Sequence, residues 1–422
     1  MKIERIWLPA APPPPLRIPS AVKAGPWVFA SGTMGGPVGG GLAPEVRGDP
    51  SLPLAGQAKG IREARYILTA LDAAFGAAGS ALAHGVWLNQ FVTARRHVDP
   101  YHEVRREFIT PPRPASTTVA EPGLLAPDAT IQVDMVAIDP ALAPAREGIT
   151  TDKIPQPLSG AGYSPAVRAG DYVFVAGQMA TDFRSGVSPE AQVSPTFWEG
   201  SPIRRQTEYT LRNLAHTLEA AGSALDHVVK AQVYLADMAD LPRMEDAWRA
   251  AFPTEPPART VLPATGYGAE GALIEINLIA LRTGGAIRKE VVGADCPAPV
   301  GHASPAVRAG GLVFLSGLCA ADGGGLIRGA RVDPGFPYAG SSIRAQTEWI
   351  LDQADRLCRA AGAGLDRAVR QQLFFTDLRA FDASYGAFAD RFPEGLPATS
   401  VVQVPDTAVP GCGLVADLWA VL

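Results

Sequence analysis

Two ionisable side chains in the middle of the chain, Arg259 and Glu275, have the types and settings that could carry chemistry. Arg259 ends a Pro-Pro-Ala-Arg run, and a guanidinium offers paired donors that match a carboxylate at any working pH. Glu275 alternates with apolar neighbours over 273–277, and a positioned carboxyl group can pass protons. Taken alone, such an arginine is usually a surface or ion-pair residue, and such a glutamate usually lies on an exposed strand face.

Metal and cofactor chemistry has no candidate residues in the sequence. The six histidines show no ligand spacing, and the glycine-rich stretch at 35–41 is not followed by the Gly-Lys-Ser/Thr of a phosphate-binding loop. No CxxC pair is formed by the four cysteines, which are Cys296, Cys319, Cys358 and Cys412. We therefore expect no metal site and no organic cofactor.

The composition excludes several classes of protein. The 422-residue chain is 47% hydrophobic and has a net charge of −5 with no run of Lys and Arg. These values exclude a disordered chain and argue against a dedicated nucleic-acid binder. No apolar stretch reaches the roughly 18–20 residues that span a bilayer, and the N-terminal segment lacks the apolar core of a signal peptide. We expect a cytoplasmic protein with no nucleic-acid or membrane partner.

Three copies of one domain account for the length. A Ser-Pro-Ala-Val-Arg-Ala-Gly segment begins at Ser164 and again at Ser304, and a weaker copy begins at Pro19. A second landmark, an Ala-Ala-Gly segment, begins at Ala77. It recurs 143 residues later at Ala220 and 140 residues after that at Ala360. This period is too long for a solenoid repeat of about 20–50 residues. Each copy must therefore have its own core, and we predict domains at 1–145, 146–287 and 288–422.

Within one copy, strand and helix patterns alternate. In the middle copy, an apolar run after a turn signal predicts a strand at 172–175, and apolar spacings of 3 and 4 predict a helix over 203–218. Gly222 lies where that helix should end. The remaining patterns predict a strand, a helix and two strands at 230–235, 241–252, 259–262 and 273–281. The predicted fold class is α+β, with two helices on one face of each sheet.

Four segments of the middle copy follow the order of a known family: 162–178, 203–238, 252–265 and 272–281. They resemble the Rid family of YjgF-type reactive intermediate deaminases. The third copy shares most of this resemblance, and the first shares it more weakly. The resemblance implies tandem chorismate-mutase-like domains, each a mixed sheet with two helices. Because family members are homotrimers with a ligand cleft at each subunit boundary, it also implies an intramolecular pseudo-trimer, for which a monomer suffices.

The resemblance also implies roles for individual residues. Arg259 matches the arginine that holds the substrate carboxylate, and Glu275 matches the glutamate that orients or activates the attacking water. The flanking copies have Ser116 and Thr399 at the arginine position, so the middle copy alone retains it. The family's substrate-binding positions are occupied by Tyr163, Gly177, Glu245 and Val261. Glu245 departs from the family's asparagine. Because clefts are shared between neighbouring domains, Tyr163 and Arg259 could face different clefts.

The activity implied by the resemblance is hydrolytic deamination of a reactive imine or enamine that bears a carboxylate, as in 2-iminobutanoate/2-iminopropanoate deaminases. Its partner would be a small-molecule substrate with a carboxylate. Alternatives stay open. One is a pathway enzyme that acts on a larger cyclic or aromatic imine or amide. Another is a non-catalytic ligand-binding or scaffold protein, favoured by the loss of the arginine in two copies. A ribonuclease is disfavoured by the net charge of −5.

Overall fold

The structure is a computed structural model that describes residues 1–8, 16–37, 40–49, 51, 56–156, 162–194, 196, 200–331, 335 and 341–422. Three mixed sheets with helices form an α+β architecture in tandem, as predicted. In the part of the chain so described, no helix is both long and apolar enough to cross a membrane.

The first domain forms the first sheet and contributes one further strand to the third. Its elements are β1 (Ile3–Ile6), β2 (Ala21–Ala24), β3 (Trp27–Met34), α1 (Pro44–Arg47), α2 (Lys59–Ala77), β4 (Gly85–Val92), α3 (Val98–Phe108), β5 (Ala115–Ala120), β6 (Gly123–Leu124) and β7 (Ile131–Ile138). The strand order is β1-β2-β3-β7-β4-β5, in which β4 and β5 are parallel. Helices α2 and α3 pack together, and their apolar sides bury Leu68, Leu71 and Val104 against the sheet.

The second sheet repeats this plan. Its elements are β8 (Arg146–Ile149), β9 (Ala166–Ala169), β10 (Tyr172–Met179), α4 (Pro202–Ala220), β11 (Val228–Leu235), α5 (Leu241–Ala251), β12 (Ala258–Pro263) and β13 (Ile274–Leu281), in the order β12-β11-β13-β10-β9-β8. The Ser201 hydroxyl caps the start of α4, and Gly222, with φ of 72°, follows its end. Strand β10 extends beyond the strand predicted at 172–175, because the pairing continues after a bulge between Val175 and Gln178.

The third sheet again has the same order, with one strand borrowed from the first domain. Its elements are β14 (Lys289–Val292), β15 (Ala306–Ala309), β16 (Leu312–Leu315), β17 (Ala321–Asp322), β18 (Gly325–Leu326), α6 (Ser342–Ala360), β19 (Ala368–Phe375), α7 (Phe381–Arg391), β20 (Ala398–Gln403) and β21 (Leu414–Val421). The order is β14-β15-β16-β21-β19-β20-β6, and β17 and β18 form a separate ribbon. Apart from β6, the strands of the three sheets lie within 3–138, 146–281 and 289–421. The predicted boundaries fall between these ranges, and the division into folding units stays a prediction.

A shared core joins the three sheets on the faces away from their helices. One apolar cluster takes Trp27, Phe174 and Trp419 from the first, second and third domains. Trp87 stacks on Trp419 with ring centroids 5.4 Å apart, and Trp27 meets Tyr172 edge-on at 5.1 Å. Burial of large aromatic surfaces between domains contributes a strong hydrophobic term to their association.

Polar contacts link each domain to the next around a ring of three. Asp134, Asn277 and Asp417 face corresponding residues of their neighbouring strands in the three sheets. Asp134 accepts from Arg370 of the third domain at 2.7 Å, Asn277 donates to Thr117 of the first at 2.9 Å, and Asp417 pairs with Lys230 of the second at 2.9 Å. Each domain therefore contacts both others. These contacts are those that the predicted pseudo-trimer requires, and that arrangement stays a prediction.

Candidate active site between the first and second domains

A cavity of about 700 Å³ lies at the boundary of the first and second domains. The first domain contributes residues of β5 and α3, among them Ser116, Thr118 and His102. The second domain contributes its predicted site residues together with the loop 181–186 and Tyr267. Ligand pockets of this size are typical of small-molecule sites, and they often lie between domains.

Glu275 places a neutral carboxyl group at this cavity. Its side chain is almost fully buried on β13, and one oxygen lies so close to Gly177 that a Cβ there would be 2.1 Å from it. The backbone N–H of Thr118, from the first domain, donates to the carboxyl group. Within the described residues, Oε2 has no hydrogen-bond partner. Burial raises the pKa of Glu275 to about 8, so the group is protonated at neutral pH and can donate a proton.

Tyr163 and Gly177 line the same cavity as Glu275. Burial raises the pKa of Tyr163, the nearby Glu275 carboxyl raises it further, and the Arg105 guanidinium opposes both effects. Gly177 lies in the bulge of β10, where the absence of a side chain leaves room for the glutamate. The structure thus brings three of the predicted residues into one cleft, in contact with the first domain.

Arg259 lies elsewhere, buried at the boundary of the second and third domains. Its guanidinium is wholly buried, donates to the Glu245 carboxylate and to the Val300 carbonyl, the latter at 3.1 Å, and lies 4.7 Å from the ring centroid of Trp248. Its backbone N–H donates to the Ser316 hydroxyl of the third domain at 2.8 Å. Burial lowers the pKa of Arg259, and Glu245 counteracts this.

The sheet order explains why Arg259 and Glu275 do not share a cleft. Strand β12 is at the edge of the second sheet and contacts β16 of the third domain, whereas β10, beside β13, contacts β5 of the first. Glu245, predicted to bind substrate, accepts from the Arg259 guanidinium, and the backbone N–H of His302 donates to its carboxylate at 3.0 Å. Val261 packs into the second domain's core. The functional roles of these residues stay predictions.

Two lining residues carried no sequence signal for a site. Thr118 and Tyr267 belong to different domains, and only the packing of the domains places them beside Glu275. Burial raises the pKa of Tyr267, and the nearby Glu275 and Glu121 carboxyls raise it further.

The boundary between the third and first domains has a smaller cavity, of about 70 Å³. Gln132 and Thr399 line it at the positions that Glu275 and Arg259 hold in the second domain. In the described part of the chain, no three metal-ligating side chains come together as a metal site would require.

Comparison with known proteins agrees with the repeat and with the fold. The family model described as Endoribonuclease L-PSP matches residues 154–282 and 293–414. The RutC family protein PH0854 of Pyrococcus horikoshii is 34% identical over 137 residues, which are 32% of this chain and 98% of that protein. The 2-iminobutanoate/2-iminopropanoate deaminase of Mus musculus is 30% identical over 137 residues, 32% of this chain and 92% of that protein.

A solved chorismatase structure is similar over most of the chain. It covers 80% of this chain and 93% of its own, with a TM-score of 0.50 and 13% identity, so the likeness concerns the fold alone. The two matches to the family model span more than half of the sequence. The chain therefore belongs to the Endoribonuclease L-PSP family.

Proposed function

We propose that the chain hydrolyses the carbon–nitrogen double bond of an imine, or of the imine tautomer of an enamine, that bears a carboxylate. The reaction takes place in the cavity between the first and second domains. The observation that carries the proposal is Glu275, a buried carboxyl group with a pKa of about 8 at the wall of a 700 Å³ cavity. The mouse relative's name, an iminobutanoate and iminopropanoate deaminase, supports the same reaction class.

The chemistry needs one group that first gives and then takes a proton. Neutral Glu275 donates its proton to the imine nitrogen, which makes the carbon more electrophilic. As the oxygen of a water molecule adds to that carbon, the Glu275 carboxylate takes a proton from the water, and a carbinolamine forms. Return of the proton to the amino nitrogen lets ammonia leave as the carbonyl double bond forms, and the hydroxyl proton passes to the Glu275 carboxylate, which restores the neutral acid. One imine and one water give one carbonyl compound and one ammonia. A pKa near the working pH suits both steps.

Tyr163 and Gly177 assist by position. The phenol of Tyr163 is close enough to Glu275 for the carboxyl group to raise the pKa of the phenol, and it lines the space that a substrate would fill. Gly177 lets the carboxyl group lie against the backbone of β10. Any larger side chain at this position would push Glu275 out of its place.

The size of the cavity favours a second candidate, a larger cyclic or aromatic imine. A volume of about 700 Å³ greatly exceeds that of a three- or four-carbon imino acid and suits a ligand of drug size. Phe183, Tyr163 and Tyr267 supply aromatic surface to the lining.

Ammonia release tests the proposal. An amino acid oxidase generates 2-iminopropanoate from alanine, or the aromatic 2-imino-3-phenylpropanoate from phenylalanine, and ammonia formation is followed with and without the protein. Wild type should accelerate at least one of these hydrolyses, and Glu275→Gln should slow it by about 10²–10⁴-fold. Glu270→Gln is the matched control, since Glu270 lines the same cavity but is exposed.

Two results would contradict the proposal. One is no acceleration by wild type with either imine, which would favour the ligand-binding or scaffold alternative. The other is acceleration by Glu275→Gln equal to that of wild type, because the proton transfers then depend on another group.

A further inference from the structure

Helix α3 of the first domain carries Arg105, and its guanidinium contacts the strand position that corresponds to Arg259 of the second domain. Arg105 occupies the α3 position that corresponds to Trp248 of α5, eight residues into each helix. Its Nη1 donates to the Ser116 hydroxyl at 3.0 Å. Ser116 holds on β5 the register position that Arg259 holds on β12, since each is the second residue of a strand paired in parallel with its neighbour in the same way. A buried guanidinium therefore lies directly behind Ser116 at this boundary, supplied by a helix instead of a strand, and Ser116 lines the cavity in front of it.

The Arg105 guanidinium lacks the carboxylate that Arg259 has. It is fully buried, and no carboxylate lies within ion-pair distance of it among the residues that the structure describes. Of its nitrogens, Nε and Nη2 have no hydrogen-bond partner in that same set, and the guanidinium lies 5.5 Å from the ring centroid of Tyr101. Arg259, by contrast, is paired with Glu245. Burial of a cation without an anion is unfavourable, and a bound anion would offset that penalty.

The surroundings of Arg105 are arranged to accept an anion. His102 holds the α3 position that corresponds to Glu245, and burial together with the charges of Arg105 and Arg106 lowers its pKa to about 3, so it is neutral. His102 lines the cavity, as does Ser116. The Ser116 oxygen accepts from Gln90 at 2.6 Å as well as from Arg105, which leaves the Ser116 proton available to donate to a ligand.

Arg105 also lies beside the other site residues. The Arg105 guanidinium influences the ionisation of Tyr163, as does Glu275. Gly162, the residue before Tyr163, covers the guanidinium closely, since a Cβ at that position would be 2.7 Å from Nη2. Gly301 covers Arg259 in the same manner at the next boundary. The two clefts thus share a plan in which a segment of the following domain lies over a buried arginine.

We infer that Ser116, backed by the buried Arg105 guanidinium, binds the substrate carboxylate in the cleft that contains Glu275, and that the Arg259–Glu245 pair is a closed structural contact. This assignment rests on the proposed function for the identity of the substrate, and the binding of a carboxylate at Arg105 can be measured without turnover. A carboxylate beside Ser116 accepts the hydroxyl proton, and the Arg105 guanidinium, whose Nη1 donates to the same hydroxyl oxygen, supplies the positive charge that stabilises the anion. Such charge-assisted hydrogen bonds are the strong ones in proteins.

Binding of pyruvate, the keto acid product of 2-iminopropanoate hydrolysis, tests the assignment. Titration calorimetry on the full chain should show pyruvate bound by wild type and bound at least about tenfold more weakly by Arg105→Met, the loss of charge-assisted hydrogen bonds. Arg146→Met is the matched control, because Arg146 is a half-buried arginine that donates to the Gly85 carbonyl. Neutralising the other pair with Arg259→Gln and Glu245→Gln should leave pyruvate affinity within about twofold of wild type.

A swap keeps the test informative if Arg105→Met folds poorly. Arg105→Trp combined with Ser116→Arg gives the first domain the arrangement of the second, and it should fold, by circular dichroism, and bind pyruvate within about tenfold of wild type. The assignment is overturned if Arg105→Met binds pyruvate as wild type does, if the Arg259 and Glu245 double variant loses binding, or if wild type binds no pyruvate.

Ammonia release separates this assignment from the proposed function. If pyruvate binding depends on Arg105 but wild type releases no ammonia from either imine, the proposed function fails and the carboxylate site stands. If Glu275→Gln abolishes ammonia release and Arg105→Met leaves it unchanged, the function stands and the carboxylate site fails.

Discussion

The raised pKa of Glu275 leads to a prediction about stability. The folded protein keeps this carboxyl group neutral up to about pH 8, whereas the unfolded chain loses the proton near the ordinary pKa of 4.5. Between these values the folded state binds one more proton than the unfolded state, so the free energy of unfolding falls as the pH rises. Glu275→Gln keeps the shape of the neutral acid and removes this dependence.

The size of the effect follows from the two pKa values. Each tenfold change in proton affinity corresponds to about 1.4 kcal/mol. Most of the interval between the unfolded pKa of 4.5 and the folded pKa of about 8 lies above pH 5. From about pH 5 to pH 9, wild type should therefore lose about 4 kcal/mol of unfolding free energy relative to Glu275→Gln. Contributions from all other titrating groups cancel in this difference.

Urea unfolding followed by tryptophan fluorescence measures this difference at several pH values. Glu270→Gln serves as the control and should track wild type, because Glu270 is exposed. A gap between wild type and Glu275→Gln that stays constant from about pH 5 to pH 9 would refute the reasoning, since it would mean that Glu275 ionises normally in the folded protein.

Three further predictions concern the clefts. The wild-type deamination rate should fall above about pH 8, where Glu275 loses its proton, and a rate that is flat or rising through pH 9 contradicts this. Gly177→Ala should lower ammonia release at least about tenfold, because the new Cβ would displace the Glu275 carboxyl group; a rate equal to wild type contradicts the geometry. Arg259→Gln should cost about 3–5 kcal/mol in urea unfolding by leaving Glu245 buried without its partner, and adding Glu245→Gln should recover part of it. Equal stability of the two variants would show that the pair is not buried as described.

Local signals in the sequence were sufficient for the repeat and for most elements. The helix predicted at 203–218 is found at Pro202–Ala220, because its apolar period, the Ser201 cap and Gly222 are all properties of neighbouring residues. The strand predicted at 273–281 is found at Ile274–Leu281 for the same reason. Short elements such as β6 could not be predicted, since two residues carry no period and their pairing partner is in another domain.

The composition of each cleft depends on contacts between domains, which a single sequence does not reveal. Arg259 and Glu275 are 16 positions apart in one domain, yet the sheet order turns them toward different neighbours. Arg105 had a weak signal, a charged residue at the helix position where the other copies have Trp248 and Phe388. Its meaning depends on the contact with Ser116, which only the packing of α3 on β5 creates.

A crystal structure of the full chain soaked with pyruvate tests the Glu275 site most directly. We expect the keto acid in the cavity between the first and second domains, with its carboxylate at Ser116, in front of Arg105, and its carbonyl carbon facing Glu275. Pyruvate bound instead at Arg259, with Glu245 displaced from the guanidinium, would rule out this site and place the active site at the boundary with the third domain.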